Sequence, residues 1–395
     1  MRVLLAFDKF KDSLTAREAC DAAARALQDR HPDWTVDSCP LADGGEGFSG
    51  ILTAAAGGRT IASSVTGPLG GIVQAPIGLV PLNQIPAAAR AQLLIPAQAT
   101  ASAEPDPGRP PQTLAVIEMA SASGLALLDS KERDPWKTSS FGTGELIRIA
   151  TDLGVAGIVL GVGGSATSDL GLGALAALGL EFRTAGRELV NPPIPAHWHH
   201  VVEITGRIPS SLPPIRIACD VTNPLLGPKG AAAVYGPQKG LRPDDLARLD
   251  HECARLAMML CHYSDKPDSL MEAPGTGAAG GISFGLMTAA DARLLPGFEL
   301  VSAWLDLEAR LAAADLVLTG EGRFDDSSLS GKGPGAVAAR ALALGKPVHV
   351  FAGQAATTHP PAGLSVHAIT PPGATLQSAL QLARENLTTA IVREL

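Results

Sequence analysis

At 395 residues the chain exceeds what one hydrophobic core usually supports, so two domains are expected. A formal net charge of -8 with only 4% aromatic residues argues against nucleic acid as a partner, which wants a basic surface and stacking rings. No unbroken apolar run approaches the roughly twenty residues that span a bilayer, and Met1 to Phe7 is too short, and too soon followed by Asp8 and Lys9, to be a signal peptide. A cytoplasmic enzyme with no membrane partner is the expectation. The five cysteines are scattered and lack a Cys-x-x-Cys pair, so they read as small buried hydrophobes rather than as a disulfide framework or a zinc site.

Val3 to Phe7 reads as a buried strand that ends in Asp8-Lys9-Phe10-Lys11-Asp12-Ser13. A helix follows, with a Thr15/Glu18 capping box and an inner face of Ala19, Ala22, Ala23, Ala26 and Leu27. Asp8, Lys9, Lys11 and Ser13 therefore stand at a strand's carboxyl edge, where open α/β sheets bind ligands. A second strand, Thr35 to Pro40, delivers Asp43 and Glu46 onto another helix start, although acids there also serve the helix dipole alone. Thr60 to Thr66 and Ile72 to Val80 flank Gly67-Pro68-Leu69-Gly70-Gly71 and predict an antiparallel hairpin, the texture of a different domain. Pro81 to Thr113, rich in Pro and Ala, reads as a loop insertion with one helical turn near Ala87 to Leu94. A strand at Leu114 to Glu118 and helices at Ala122 to Leu128 and Gly142 to Leu153 come next.

Gly157 to Leu180 reads as strand, glycine turn and helix, the strand stopping at Gly163-Gly164-Ser165 and the helix carrying Leu172, Leu175, Ala176 and Leu178. Free backbone N–H groups at such a helix start would cradle an anion. Gly161, Gly163 and Ala166 fit the dinucleotide pattern G-x-G-x-x-A, with Glu181 where a ribose-binding acid is expected, so an NAD(P)-dependent oxidoreductase is one reading. Ser165, Thr167, Ser168 and Asp169 suit a metal-bound phosphate better than a bare pyrophosphate. An ordinary helix cap with no ligand is the bland alternative, and a non-catalytic effector-binding protein is another.

His197, His199 and His200 lie in a Pro-rich tract without a spaced carboxylate partner and read as surface. A strand at Ile215 to Cys219 ends in Asp220-Val221-Thr222-Asn223-Pro224, followed by Gln238-Lys239-Gly240 and a long helix from about Pro243 to Cys261. Gly275 to Gly285, containing Gly280 and Gly281, is a third glycine-rich turn, hard to explain by core packing alone because each glycine costs about 0.5 to 1 kcal/mol of chain entropy. Leu316 to Thr319 is a strand that leads into Gly320-Glu321-Gly322-Arg323-Phe324-Asp325. Gly331-Lys332 is not a Walker A ending, since no correctly spaced glycine precedes it and Gly333 replaces the hydroxyl. A βαβ texture shared by the beginning and the end predicts a domain of residues 1–66 and 292–395, interrupted by an inserted α/β domain of residues 67–291.

In order along the chain, Asp8-Lys9-Phe10-Lys11-Asp12-Ser13-Leu14, Ala42-Asp43-Gly44-Gly45-Glu46-Gly47, Gly163-Gly164-Ser165-Ala166-Thr167, Ala218-Cys219-Asp220-Val221-Thr222-Asn223-Pro224-Leu225, Gly236-Pro237-Gln238-Lys239-Gly240, Ala278-Ala279-Gly280-Gly281 and Thr319-Gly320-Glu321-Gly322 resemble the bacterial type 1 glycerate kinase family. The resemblance covers nearly the whole chain. It implies ATP-dependent phosphorylation of D-glycerate, usually at the 2-hydroxyl, and a flavodoxin-like α/β domain carrying a second α/β domain as an insertion; a monomer or homodimer is expected. The family commonly has Gly where this chain has Asp12 and Leu170, and Asn where it has Ser168.

A phosphoryl-transfer enzyme mainly neutralises and aligns a polyphosphate and holds a hydroxyl in line, which lysines, metal-holding acids and glycine cradles can do. Within the resemblance, Lys9 and Lys11 are expected to meet phosphate or the glycerate carboxylate, the Gly163 to Ser165 turn to give phosphate N–H contacts, and Asp220, Glu321 and Asp325 to serve Mg2+ or substrate hydroxyls. Asp169 is the leading candidate for the base, with Asp220 next. Asp8, Ser13, Asp43, Glu46, Asn223, Gln238, Lys239, Gly280, Gly281 and Lys332 complete the expected substrate- and phosphate-binding set.

Overall fold

A run such as Val3 to Phe7 has no polar side to offer water, so it settles only in a sheet covered on both faces. Accordingly β1 (Arg2–Phe7) is buried along all but its first residue. The computed structural model describes residues 1–95, 112–326, 328, 333–357 and 360–395. The later strands are β2 (Thr35–Ser38), β3 (Arg59–Thr66), β4 (Ile72–Pro81), β5 (Thr113–Glu118), β6 (Gly157–Gly161), β7 (Leu180–Arg183), β8 (Glu203–Gly206), β9 (Ile215–Ala218), β10 (Arg293–Leu295), β11 (Leu316–Phe324), β12 (Val348–Ala355) and β13 (Leu364–Ala368). The chain divides into two compact units, Met1–Asp43 with Phe298–Leu395, and Gly44–Gly297.

The first unit holds a five-stranded sheet in the order β13-β12-β11-β1-β2, every pair parallel. Counted within this unit the order is 2-1-3-4-5, the doubly wound arrangement of flavodoxin-type sheets. The sequence direction reverses between β1 and β11, so their carboxyl ends open a crevice at that point. The helix Ala16–Arg30 starts at the expected capping box, with Thr15 Oγ1 accepting from Glu18 N and Glu18 Oε2 from Thr15 N. Its alanines pack with Leu5 and Phe7 of the sheet and with Leu387, Ala390 and Ile391 of the closing helix Ala383–Glu394. Small side chains let these helices lie close to the strands, which fixes where the loop after β1 emerges.

The second unit is built on a six-stranded mixed sheet, β10-β9-β6-β5-β4-β3, with β7 and β8 forming a separate pair. Its core gathers Leu160, Leu175, Ile217, Leu256 and Phe284 from strands and helices throughout residues 44–297. The expected hairpin is present, with β3 antiparallel to β4 from Arg59↔Leu79 to Thr66↔Ile72. Its strands belong to one sheet, however, so the expected boundary after residue 66 is corrected to Asp43/Gly44. The helix Phe48–Ala55 lies against β4 and β5 and therefore also belongs to this unit. At the other end β10 pairs with β9, which moves the return from residue 292 to Phe298. Of the expected insertion at 81–113, the helix Ala87–Leu93 is observed and residues 96–111 lie outside the described residues. The expected helix at Ala122 to Leu128 is shorter, Ala120–Ser123, followed by a single 3-10 turn. Among the described residues no helix is long and apolar enough to cross a membrane.

His349 on β12 and His367 on β13 stack at 5.0 Å, with His367 Nε2 3.1 Å from His349 Nδ1. One proton fits between those nitrogens, and burial holds both imidazoles below their usual pKa. The unfolded chain takes up protons near pH 6.5 that the folded pair resists, so this contribution to stability is complete above that pH and is lost as pH falls. The thermal midpoint is expected to drop between pH 7 and pH 5, and to drop less in His349→Gln; equal pH slopes in the two proteins would exclude the pair as a cause.

Candidate active site

The loop that leaves β1 is held by its own backbone. Phe10 N and Leu14 O pair at 2.8 Å, Leu14 N reaches Phe10 O at 3.0 Å, and Ser13 Oγ donates to Phe10 O. Phe10 is buried against Phe7 and anchors the turn. Asp12 has φ 61°, a left-handed conformation that glycine adopts without strain and Asp tolerates, which accounts for the glycine that the family pattern carries there. Lys9 and Lys11 are thus displayed by a rigid turn, whereas Ser13 is partly committed to holding it.

That turn forms one wall of a cavity of about 820 Å3 in the first unit, which Asp8, Lys9, Lys11, Ser13, Asp43 and Glu321 line together with Gly322 and Arg323. Beyond β12 and β13 the lining becomes apolar, with Ile369, Pro371, Leu376, Leu380 and Ala383. The charged part lies where β1 and β11 meet, at the reversal of strand order, and the apolar part adjoins it. This suits a ligand with a charged group and an apolar body.

Asp8 is 8% exposed and accepts from Lys9 N at 2.7 Å. Burial and the neighbouring Asp43 push its pKa up to about 6 against the pull of Lys9. Burial also raises Glu321 to about 7, with Asp8, Asp325 and Asp43 adding to the effect and a hydrogen bond with Ser328 opposing it. Lys9 Nζ stands 4.0 Å from Asp43 Oδ1, and Arg323 donates to Asp325. Four carboxylates so placed disfavour one another's charge and favour a cation among them. Among the described residues no three acidic, His or Cys side chains form a preformed metal cage. Mg2+ typically takes only one or two protein carboxylates and fills the rest of its shell with water and substrate phosphate, so the acids present fit it. Lys332 lies outside the described residues.

In the second unit the structure corrects the helix start expected at the turn after β6. After β6 the chain turns through Gly163 and Gly164, but the helix begins only at Leu172 and runs six residues, to Ala177. The N–H of Gly163 is taken by Gly44 O and that of Ala166 by Ser123 O. A side chain at Gly163 would strike Gly45 Cα at 2.5 Å, so this glycine allows the Gly44-Gly45 loop to rest directly on the turn. The dinucleotide reading fails with it, because that fingerprint needs the helix to open at the turn. Glu181, moreover, is on β7, bound to Arg183 and Thr205.

Asp169 is also corrected as a candidate base. It is 0% exposed; its Oδ2 accepts from Ser140 N, Ser140 Oγ and Gly173 N, and its Oδ1 from Gly171 N. Burial raises its pKa while those hydrogen bonds hold it down. Every side of the carboxylate faces protein, and its hydrogen bonds organise the loop. Leu170, next to it, has φ 57°, again where the family pattern has glycine.

Lys239, 1% exposed, lies inside the same loop, its Nζ donating to Ser165 Oγ at 2.9 Å and to Thr167 O at 2.6 Å. Burial lowers its pKa to about 7 against the attraction of Asp169. It therefore holds Ser165 rather than a ligand directly. Gly280 and Gly281 are packing glycines: a side chain on Gly280 would meet Thr167 O at 2.0 Å, and Leu170 N donates to Gly280 O. Asn223 is spent on Lys229 O and the Tyr235 hydroxyl. Gln238 and Glu46 are exposed. Asp220, just beyond the carboxyl end of β9, is partly exposed, unlike Asp169.

Two residues that sequence reasoning missed matter here. Glu118, buried at the end of β5, accepts from Gly47 N and Ser49 N and so caps the helix for which Glu46 seemed the acid. Ser140 is the main partner of Asp169; the hydroxyl run Thr138-Ser139-Ser140 was its visible signal. Asp169→Asn turns an amide N–H toward these donors and is expected to cost about 3 kcal/mol of stability. Urea unfolding checks this; an unchanged midpoint with lost turnover would restore Asp169 as the base.

The glycerate kinase family profile matches residues 3–393. A glycerate kinase of Bacillus cereus is 36% identical over 394 residues, covering 98% of this chain and 95% of the relative. The glycerate 2-kinase of Escherichia coli K12 is 37% identical, covering 89% of this chain and 85% of its own. A crystal structure described as glycerate kinase 2 from Salmonella typhimurium LT2 superposes with a TM-score of 0.75 at 38% identity, covering 100% of this chain and 97% of the other. Taken with an α/β architecture and a lysine- and carboxylate-lined crevice at the strand ends, these matches show that the chain belongs to the glycerate kinase family, phosphotransferases that use ATP and an alcohol acceptor.

Proposed function

We propose that the protein phosphorylates D-glycerate at its 2-hydroxyl with ATP, assisted by Mg2+. The observation that carries this reading is the meeting of Lys9 and Lys11 with Asp8, Asp43 and Glu321 in one cavity at the reversal of strand order. Phosphoryl transfer needs charge neutralisation and alignment more than covalent chemistry, and this cavity offers both signs of charge. The 2-position is supported by the relative named glycerate 2-kinase.

In this reading Lys9, fixed by the turn after β1, and Lys11 neutralise phosphate or the glycerate carboxylate. Asp8 and Glu321 would hold Mg2+, with Asp43 and Asp325 nearby, and the bound ion would supply charge neutralisation to the phosphates. Burial of Asp8 and partial burial of Glu321 strengthen their electrostatic contacts relative to water.

Lys9→Ala is expected to lower kcat about a hundredfold, roughly 2.7 kcal/mol of transition-state stabilisation, in a protein that still folds. A coupled ADP-release assay with D-glycerate, ATP and Mg2+ measures this, and unchanged turnover would remove Lys9 from the site. Phosphorus NMR of the product is expected to show 2-phosphoglycerate; a 3-phosphate signal alone would overturn the regiochemistry.

A further inference from the structure

Away from the glycine turns, the second unit contains a cavity of about 650 Å3 walled by Lys131, Arg133, Trp136, Lys137, Arg242 and Arg248. Its acids are Glu132, Asp134 and Asp245. Asp134 is already bound by Lys137 and by Trp136 N, and Glu132 accepts from Asp129 N. Among the described residues no carboxylate lies within ion-pair distance of Lys131, Arg133, Arg242 or Arg248. Arg133 Nε is buried and meets no acceptor, a state that buried N–H groups rarely keep. Arg248 lies over the Trp136 ring at 4.6 Å, which holds its guanidinium in place. On a chain with a net charge of -8, this is a local excess of cations around a concave surface.

A second cavity of about 650 Å3 adjoins it, sharing Leu69, Lys137 and Ala196, and is lined by Pro68, Phe141, Pro192 and Ile194. One part therefore offers guanidinium and ammonium groups and the next offers apolar and aromatic surface. Guanidinium groups match phosphate oxygens in paired hydrogen bonds, and apolar walls favour a flat or aliphatic body.

We propose that these joined cavities are a second ligand site, separate from the crevice of the first unit, that takes a phosphate-bearing small molecule with an apolar or aromatic body. Arg133, Arg242 and Arg248 receive the phosphate, and Phe141 and Ile194 cover the body. Gly240, in the wall of the charged cavity, follows Lys239 directly and approaches Arg133 so closely that a side chain there would meet Arg133 O at 2.1 Å. The site is therefore built against the segment that holds Ser165.

Isothermal titration of the full chain with pyrophosphate and with ADP tests this, using the double variants Lys9→Ala/Lys11→Ala and Arg242→Glu/Arg248→Glu. In the lysine variant pyrophosphate is expected to bind still, and ADP to bind more tightly than pyrophosphate. Adding the arginine substitutions to that variant is expected to weaken both at least tenfold. Loss of pyrophosphate binding in the lysine variant, or binding there that ignores the arginine substitutions, would overturn the proposal; equal affinities for ADP and pyrophosphate would overturn the apolar extension. Binding in the lysine variant does not depend on kinase activity, so failure of the kinase reading would leave this result standing. Circular dichroism checks folding, and Arg242→Gln/Arg248→Gln replaces the charge reversal if that variant is unfolded.

Discussion

Like charges crowded at the tip of a parallel sheet are the constraint on which the first unit depends. Reversal of strand order between β1 and β11 brings Asp8 and Glu321 to neighbouring strand ends, and burial there resists their ionisation. Such an arrangement is costly for a fold that has no use for it, since two apolar residues would pack at the same place without the penalty. Lysines displayed by a self-bonded turn offset part of that cost, and a divalent cation with phosphate oxygens would offset the rest. The topology of the sheet thus sets lysines beside partly neutralised carboxylates, an arrangement suited to a cation and phosphate oxygens.

The second unit solves a different problem. Its loops carry little regular structure, and their shape is fixed from within by two buried charges. Asp169 gathers the N–H groups of Ser140, Gly171 and Gly173, while Lys239 ties Ser165 to Thr167. Glycines at 44, 163 and 280 then let separate loops approach to backbone distance. Removing one charge would leave the other buried with less compensation, so the two are expected to act as a unit in stability.

Much of the fold was legible in the sequence because apolar runs, capping signals and the hairpin each have a local physical cause. The convergence of the loop after β1 with Glu321 on one cavity was legible for the same reason: strand ends in open α/β sheets are where side chains of neighbouring strands meet. Glu321 needed the family resemblance as well. Harder to see was the direction a polar side chain faces. A carboxylate amid hydroxyls, as at Asp169, reads alike whether it serves a substrate or the backbone, and only the burial of the surrounding loop decides. Glycine density misled similarly, since close backbone packing and phosphate cradling ask for the same residue. The boundary after residue 66 was misplaced because the helix Phe48–Ala55 gives no local sign of which sheet it covers.

The central claim is that Asp8 and Glu321 form a cation-dependent phosphate site. Its most direct measurement is the binding of Mn2+, followed by electron paramagnetic resonance, to the full chain in the presence of ADP, compared with Asp8→Asn/Glu321→Gln. The account predicts that the substitutions weaken a protein-bound Mn2+ at least tenfold while the fold is retained. Mn2+ binding of equal strength in both proteins would contradict it.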